Sequence, residues 1–445
     1  MGAWSELGKS CPVTGPMLCA TSCRSSSQNL VHNRLNAPAY VTLLRPQWAF
    51  LSHRNGKPCL SAPSKKPFVA SPSTNRRRRF HVTSSADNYT TVLTVPTGIG
   101  ASIGGYAGDA LPVVRLISTI VDTVITHPNV LNGALMYWPL PNALYVEGFA
   151  LDQFAAGNYA LYHSTNRSNR IGLVLDAAMH PDAILRHKQA AEAARATLGL
   201  QVTDYVITDL PLHVKIESSD CGPSWGQISN PESLLAASAR LIARGCQAIA
   251  VVTKFPEDED PIQLAKYRAG AAVDAIAGAE AVISHLVTRE LHVPCAHAPA
   301  LSPLNVDSSV SPKAAAEELG YTFLSCVLVG LSKAPKLIPT ARSDAQPDFK
   351  DIIFAEQVDS IVVPASAFGG SALMNLASAK DALVIAVGEN RTAISVSSRC
   401  VGIESERVLF VKSYAEAAGY LAAHKAGIEL SSLGPFVPRL FEVKN

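Results

Sequence analysis

Acidic residues are nearly missing from the first 86 positions, where Glu6 stands alone against twelve Lys or Arg, a charge of +11. The same stretch lacks the apolar core that a secretory signal needs. It is rich in Ser, with Ser25, Ser26 and Ser27 in a row, and Arg76-Arg77-Arg78-Arg79 lies near its end. A basic, Ser-rich, acid-poor leader of this kind reads as a transit peptide over 1–85, disordered and dependent on the plastid import machinery. A basic tail or nuclear address is the alternative reading.

Other absences narrow the remainder. Residues 87–445 hold 26 basic and 35 acidic side chains, a net of −9, without a basic patch. Nucleic acid is therefore excluded as an expected partner, since phosphate binding needs clustered Lys and Arg. No apolar run approaches the roughly 20 residues that span a bilayer, so no membrane partner is expected and the chain reads as soluble. Four cysteines fall in the leader; Cys221, Cys246, Cys295, Cys326 and Cys400 remain. Their odd number and wide spacing give neither a disulfide framework nor a zinc site, and no metal is expected.

What is present alternates. Short β-branched runs at Thr91–Val95, Thr123–Thr126, Ile171–Asp176, Val202–Thr208, Ala248–Thr253, Val282–His285, Val327–Gly330, Ser360–Val363, Leu383–Val387 and Val408–Val411 read as strands. Asp182–Leu198, Pro231–Arg244 and Ile262–Ala277 read as helices. Nearly all-apolar strands between amphipathic helices predict an α/β fold with mainly parallel sheets, in one body or two lobes. Proline-rich stretches within 301–350 suggest a linker between an α/β lobe over 89–300 and residues 351–445. The latter form a smaller lobe or continue the same sheet.

In parallel sheets ligands bind beyond the carboxyl ends of strands, so the residues after each strand carry the functional expectation. After the first come Thr97, Gly98, Gly100, Gly104 and Gly105. Glycines in such number let backbone N–H groups turn inward around an anion, ahead of a helix N-terminus. The spacing is neither the dinucleotide fingerprint nor a P-loop. A turn that only packs helix on sheet is the competing reading.

The second strand runs into His127, Asn129 and Asn132, an acid/base with two amide donors. Near it, Tyr137, Trp138 and Glu147-Gly148 suggest a wall of the site or simple core packing. A later strand ends in Gly369-Gly370, and the next delivers Glu389 and Asn390 to the same rim. Asp176 ends another strand. Catalytic roles are expected of His127, Glu389 and Asp176. Thr97, Gly98, Gly100, Gly104, Gly105, Asn129, Asn132, Gly369, Gly370 and Asn390 are expected to bind the ligand. Cys221 precedes a helix but has no His that the sequence can pair with it.

The segments Pro96-Thr97-Gly98-Ile99-Gly100, Thr126-His127-Pro128-Asn129 with Asn132-Gly133, and Phe368-Gly369-Gly370 with Ala386-Val387-Gly388-Glu389-Asn390 resemble a family shared by cyanobacteria and plants. It is the family of domain of unknown function 3326, and the resemblance spans residues 90–440. It implies a chloroplast stromal setting but no reaction and no cofactor, which stays unknown. Three readings remain in competition. The first is an enzyme acting on a small anionic metabolite, phosphorylated or nucleotide-linked. The second is a two-lobed glycosyltransferase using a sugar nucleotide, and the third a non-catalytic metabolite sensor or assembly factor. Association of identical copies stays open.

Overall fold

A computed structural model describes residues 88–440, apart from 107, 132–134, 164–166, 219–223, 257–260, 270–273, 302–306, 320–322, 341–350 and 379–381. The leader, Asn132 and Cys221 lie outside the described residues.

Strand β1 (Thr90–Leu93) leads through α1 (Leu111–Ser118) to β2 (Thr123–Thr126), and α2 (Pro128–Leu131) precedes β3 (Ala143–Tyr145). A long excursion follows. It holds α3 (Gly148–Ala155), β4 (Tyr159–Tyr162), β5 (Ile171–Leu175), α4 (Pro181–Leu198) and β6 (Val202–Ile207). Next come β7 (Val214–Ser218), β8 (Ser224–Ile228), α5 (Pro231–Ala243), β9 (Ala248–Thr253), α6 (Pro261–Arg268) and α7 (Ala277–Leu291). It closes with β10 (Cys295–Pro299), α8 (Pro312–Glu318), α9 (Leu324–Lys333), β11 (Lys336–Pro339) and β12 (Ile352–Ile353). The chain returns as β13 (Ser360–Pro364), α10 (Ser371–Ser378), β14 (Leu383–Val387), β15 (Val408–Val411) and α11 (Tyr414–Lys425).

The returning strands join the sheet that the first three began. Its order is β15-β14-β13-β1-β2-β3, six strands and all parallel, with Thr91 opposite Ser360 where the two halves meet. Counted without the excursion, this is the 3-2-1-4-5-6 order of doubly wound folds, whose direction of winding reverses between β1 and β13. The excursion builds a second parallel sheet, β10-β9-β5-β6, with its own reversal between β5 and β9. A three-stranded antiparallel sheet, β11-β4-β12, and the β7–β8 hairpin complete the strands. The fold is thus mixed α/β with mainly parallel sheets flanked by helices.

Two expected strands are helices. Val327–Gly330 lies in α9, which packs on β3 of the first sheet and on β9 and β10 of the second. Seven of its ten residues are buried, so its apolar run carries no one-faced period. Gly330 lets it approach the Tyr145 ring, since a Cβ would stand 3.3 Å from Cε2. Val282–His285 lies in α7, whose buried Ala279, Ile283, Leu286 and Val287 keep helical spacing. The helix expected over Ile262–Ala277 ends at Arg268, and α7 begins only at Ala277.

Candidate functional site

The loop after β1 turns through four glycines at positive φ, namely Gly98, Gly100, Gly104 and Gly108. Gly105 is required for a different reason: a Cβ there would fall 2.1 Å from the Ala101 carbonyl oxygen. The loop lies along the segment after β14. Ser102 N–H donates to the Arg391 carbonyl at 2.8 Å, and Ala393 N–H donates to that of Ile99 at 2.8 Å. Asn390, buried, accepts from Ile103 N–H at 2.9 Å and donates to the Ile103 carbonyl and the Tyr414 hydroxyl, each at 2.8 Å. Both ends of the Asn390 amide are therefore committed to holding the loop. A carboxylate of the chain itself stands beside the loop. Buried Asp109 faces the Gly104 and Tyr106 amides and the Lys313 ammonium, 3.3 Å away. Burial pushes its pKa up to about 6 against the pull of those donors.

The second glycine turn follows β13 and opens α10. There Asp152 of α3 accepts from Ala372 N–H at 2.8 Å, so this helix end also meets an internal carboxylate. Gly370 keeps open space around the position of a Cβ. Thr97, across the reversal point at the end of β1, is half-buried. Glu389 is exposed, and its carboxylate accepts from Tyr414 N–H at 2.9 Å, at the start of α11. His127 follows β2 and Glu389 follows β14, so β1 and β13 lie between their strands in the sheet.

His127 is buried, and its Nε2 accepts from Val95 N–H at 3.2 Å, which places the ring proton on Nδ1. Burial drives its pKa down to about 4, although Glu147 and the Val95 contact oppose the shift. Asn129 lies on α2 beside it, and its side chain is outside the described residues. Glu147, two residues past the end of β3, is 3% exposed; it caps α3 by accepting from Ala150 N–H at 3.1 Å and pairs with His285 Nδ1 of α7. Burial raises the Glu147 carboxyl, but His285 and the Phe149 and Ala150 amides outweigh it and hold the pKa low. For His285 burial lowers the pKa, yet Glu147 and Asp152 bring it out above the ordinary histidine value. Burial likewise raises Asp152, against the Ala372 amide and His285. The sequence reading placed Glu147 only in a wall and left out His285 and Asp152; helical periodicity across α7 was the signal for His285.

In the second sheet Asp176 is fully buried at the end of β5. It accepts from Ala178 and Leu212 N–H at 2.9 Å each and from Lys254 N–H at 3.3 Å, tying three loops together. Nearby, His297 bonds Ser284 Oγ at 2.7 Å and faces Glu280 at 3.3 Å. That trio has the membership of a hydrolytic triad, but Ser284 is buried within α7 and cannot meet a substrate. Among the described residues no group of three His, Cys, Asp or Glu is placed to hold a metal ion. None of the described helices is long and apolar enough to cross a membrane.

Residues 90–434 match a family described as a protein of unknown function (DUF3326). An uncharacterized lipoprotein of Synechococcus sp. is 52% identical over 351 residues, covering 79% of this chain and 95% of that protein. No solved structure matches the chain.

Proposed function

Starting from the membership of this chain in the DUF3326 family, which fixes kinship but no chemistry, we propose that it is an enzyme. Its substrate is a small anionic metabolite, phosphorylated or nucleotide-linked, held at the carboxyl edge of the six-stranded sheet. The observation that carries the proposal is the strand order, which reverses between β1 and β13. Such reversal points open a crevice at the strand ends and are the usual ligand positions of doubly wound sheets. Both glycine turns follow the two strands at that point. With Asp109 already set against the Gly104 and Tyr106 amides, the anionic group is assigned to the rim between Thr97 and Gly369-Gly370. The nucleotide part of the proposal is an analogy of fold, and binding decides it.

The test is a thermal-shift panel of nucleotides, sugar phosphates and UDP- and GDP-sugars with the wild type and Gly370→Asp. Open space around Gly370 lets the variant fold, while its carboxylate repels an anion there. At least one ligand should stabilise the wild type and bind the variant at least tenfold more weakly, by roughly 1.4 kcal/mol. Silence across the panel removes the proposal. Stabilisation by sugar nucleotides alone would favour the glycosyltransferase reading, and binding without turnover the sensor reading. The leader's composition further supports import into the chloroplast stroma as the setting of this activity.

A further inference from the structure

Proton transfer at this edge needs a titrating group, and His127 is not suited to it, being buried, neutral and bonded through Nε2 to the Val95 N–H. A better arrangement lies one strand further on. Glu147 is 3% exposed and commits one oxygen to Ala150 N–H and the other to His285 Nδ1. A buried carboxylate on one imidazole nitrogen fixes the tautomer and frees the other nitrogen for substrate. The His285 side chain is 45% exposed. Its ring lies against Gly148, where a Cβ would come within 2.8 Å of Cε1, so the approach depends on that glycine. Asp152 is within electrostatic reach of the same ring. It anchors a carboxylate oxygen on Ala372 N–H, at the helix start that follows Gly369-Gly370.

We propose that His285 and Asp152 are an acid–base pair that isomerises an anionic hydroxy-carbonyl compound of the sugar phosphate class, with Glu147 positioning the imidazole. The inference rests on the substrate site at the carboxyl edge and supplies its reaction. The Asp152 carboxylate takes the proton from the hydroxyl-bearing carbon beside the carbonyl. The electron pair of that C–H bond becomes the new C=C bond, and the carbonyl π pair moves onto oxygen, which takes the proton from His285 Nε2. In the enediol so formed, the second hydroxyl returns a proton to His285. Asp152 then delivers its proton to the former carbonyl carbon. Substrate and product are isomers, and no oxidant or co-reactant is consumed.

The full-length protein is incubated in D2O with glucose 6-phosphate, fructose 6-phosphate and ribose 5-phosphate, and carbon-bound deuterium is read by mass spectrometry beside the thermal shift. Catalysed uptake is expected in at least one, falling at least 100-fold in His285→Gln and in Asp152→Asn while the thermal shift persists. Gly148→Ala, which keeps every side chain but displaces the ring, should lose uptake similarly and guards against a misfolded His285 variant. Glu147→Gln should move the alkaline limb of the exchange rate to lower pH. The titratable groups around the ring are Glu147, Asp152 and the neutral His127, while His297 and Glu280 pair on the β10 side of α7. Undiminished uptake in His285→Gln and Asp152→Asn overturns the proposal. So does a wild type that binds these compounds without exchange, which leaves the site itself standing. Absence of binding by any ligand removes the site and this inference together.

Discussion

Two histidines at one sheet edge respond to acid with opposite signs. The His127 pKa falls from 6.5 to about 4 on folding, so its neutral form stabilises the native state above pH 6.5. That contribution is lost as pH falls through the folded value, in all about 3 kcal/mol at 1.36 kcal/mol per unit. His285 is shifted upward, and its contribution is present below 6.5 and lost as pH rises through its folded value. Urea unfolding at pH 7 and pH 4 should therefore show a steeper acid loss in the wild type than in His127→Gln. The difference should approach that 3 kcal/mol, and equal slopes would mean that burial does not hold His127 neutral. The sequence marked His127 as special from its position after a strand, and that position is real. Its role was not legible, because the Val95 contact and the burial behind the low pKa are set by strand pairing that no local pattern encodes.

Among elements, the glycine loop shows a motif whose winding is legible in the sequence and whose partners are not. The abundance of glycine correctly signals a backbone that winds, with four positive φ values and one Cβ-intolerant position. What holds it in place could not be read, since Lys313 and Asn390 are more than two hundred residues away in sequence. Asn390→Ala removes two hydrogen bonds to the loop and one to Tyr414 of α11, and should destabilise the protein by about 2–4 kcal/mol. Calorimetry or denaturant unfolding would measure this, and a neutral outcome would return Asn390 to the list of ligand groups. Helix α7 teaches the complementary lesson. Val282–His285 is a short β-branched run that fits a strand, and only the wider window from Ala279 to Val287 reveals the 3.6-residue period. Read as a strand, the segment gave no reason to set His285 against Glu147, which only the helix brings about.

For the whole molecule, the strand-helix alternation carried the α/β class, and most strands of the six-stranded sheet were visible as apolar runs. The excursion between its third and fourth strands was not, since both sheets use the same residue types and the same period. At this scale the leader also makes a prediction. If the +11 segment is an import address, residues 1–88 fused to a fluorescent protein should direct it into chloroplasts, with the leader removed on arrival. Retention of the fusion in the cytosol or nucleus would contradict it.

The contact between Thr91 and Ser360 has a consequence in time. The hydroxyls of these neighbours meet at 2.8 Å across 269 positions of chain. While the protein is being made or threaded, β1 waits with one side unpaired until β13 emerges, long after the second sheet has all of its strands. Distant parallel pairing closes slowly and leaves apolar strand edges exposed in the interval. The excursion can thus mature first and the six-stranded sheet last, so the edge that bears His127, Glu147 and Asp152 is completed only when β13 to β15 arrive. A truncated or stalled chain would present a finished second sheet beside three strands of the first, with the β1 edge still unpaired.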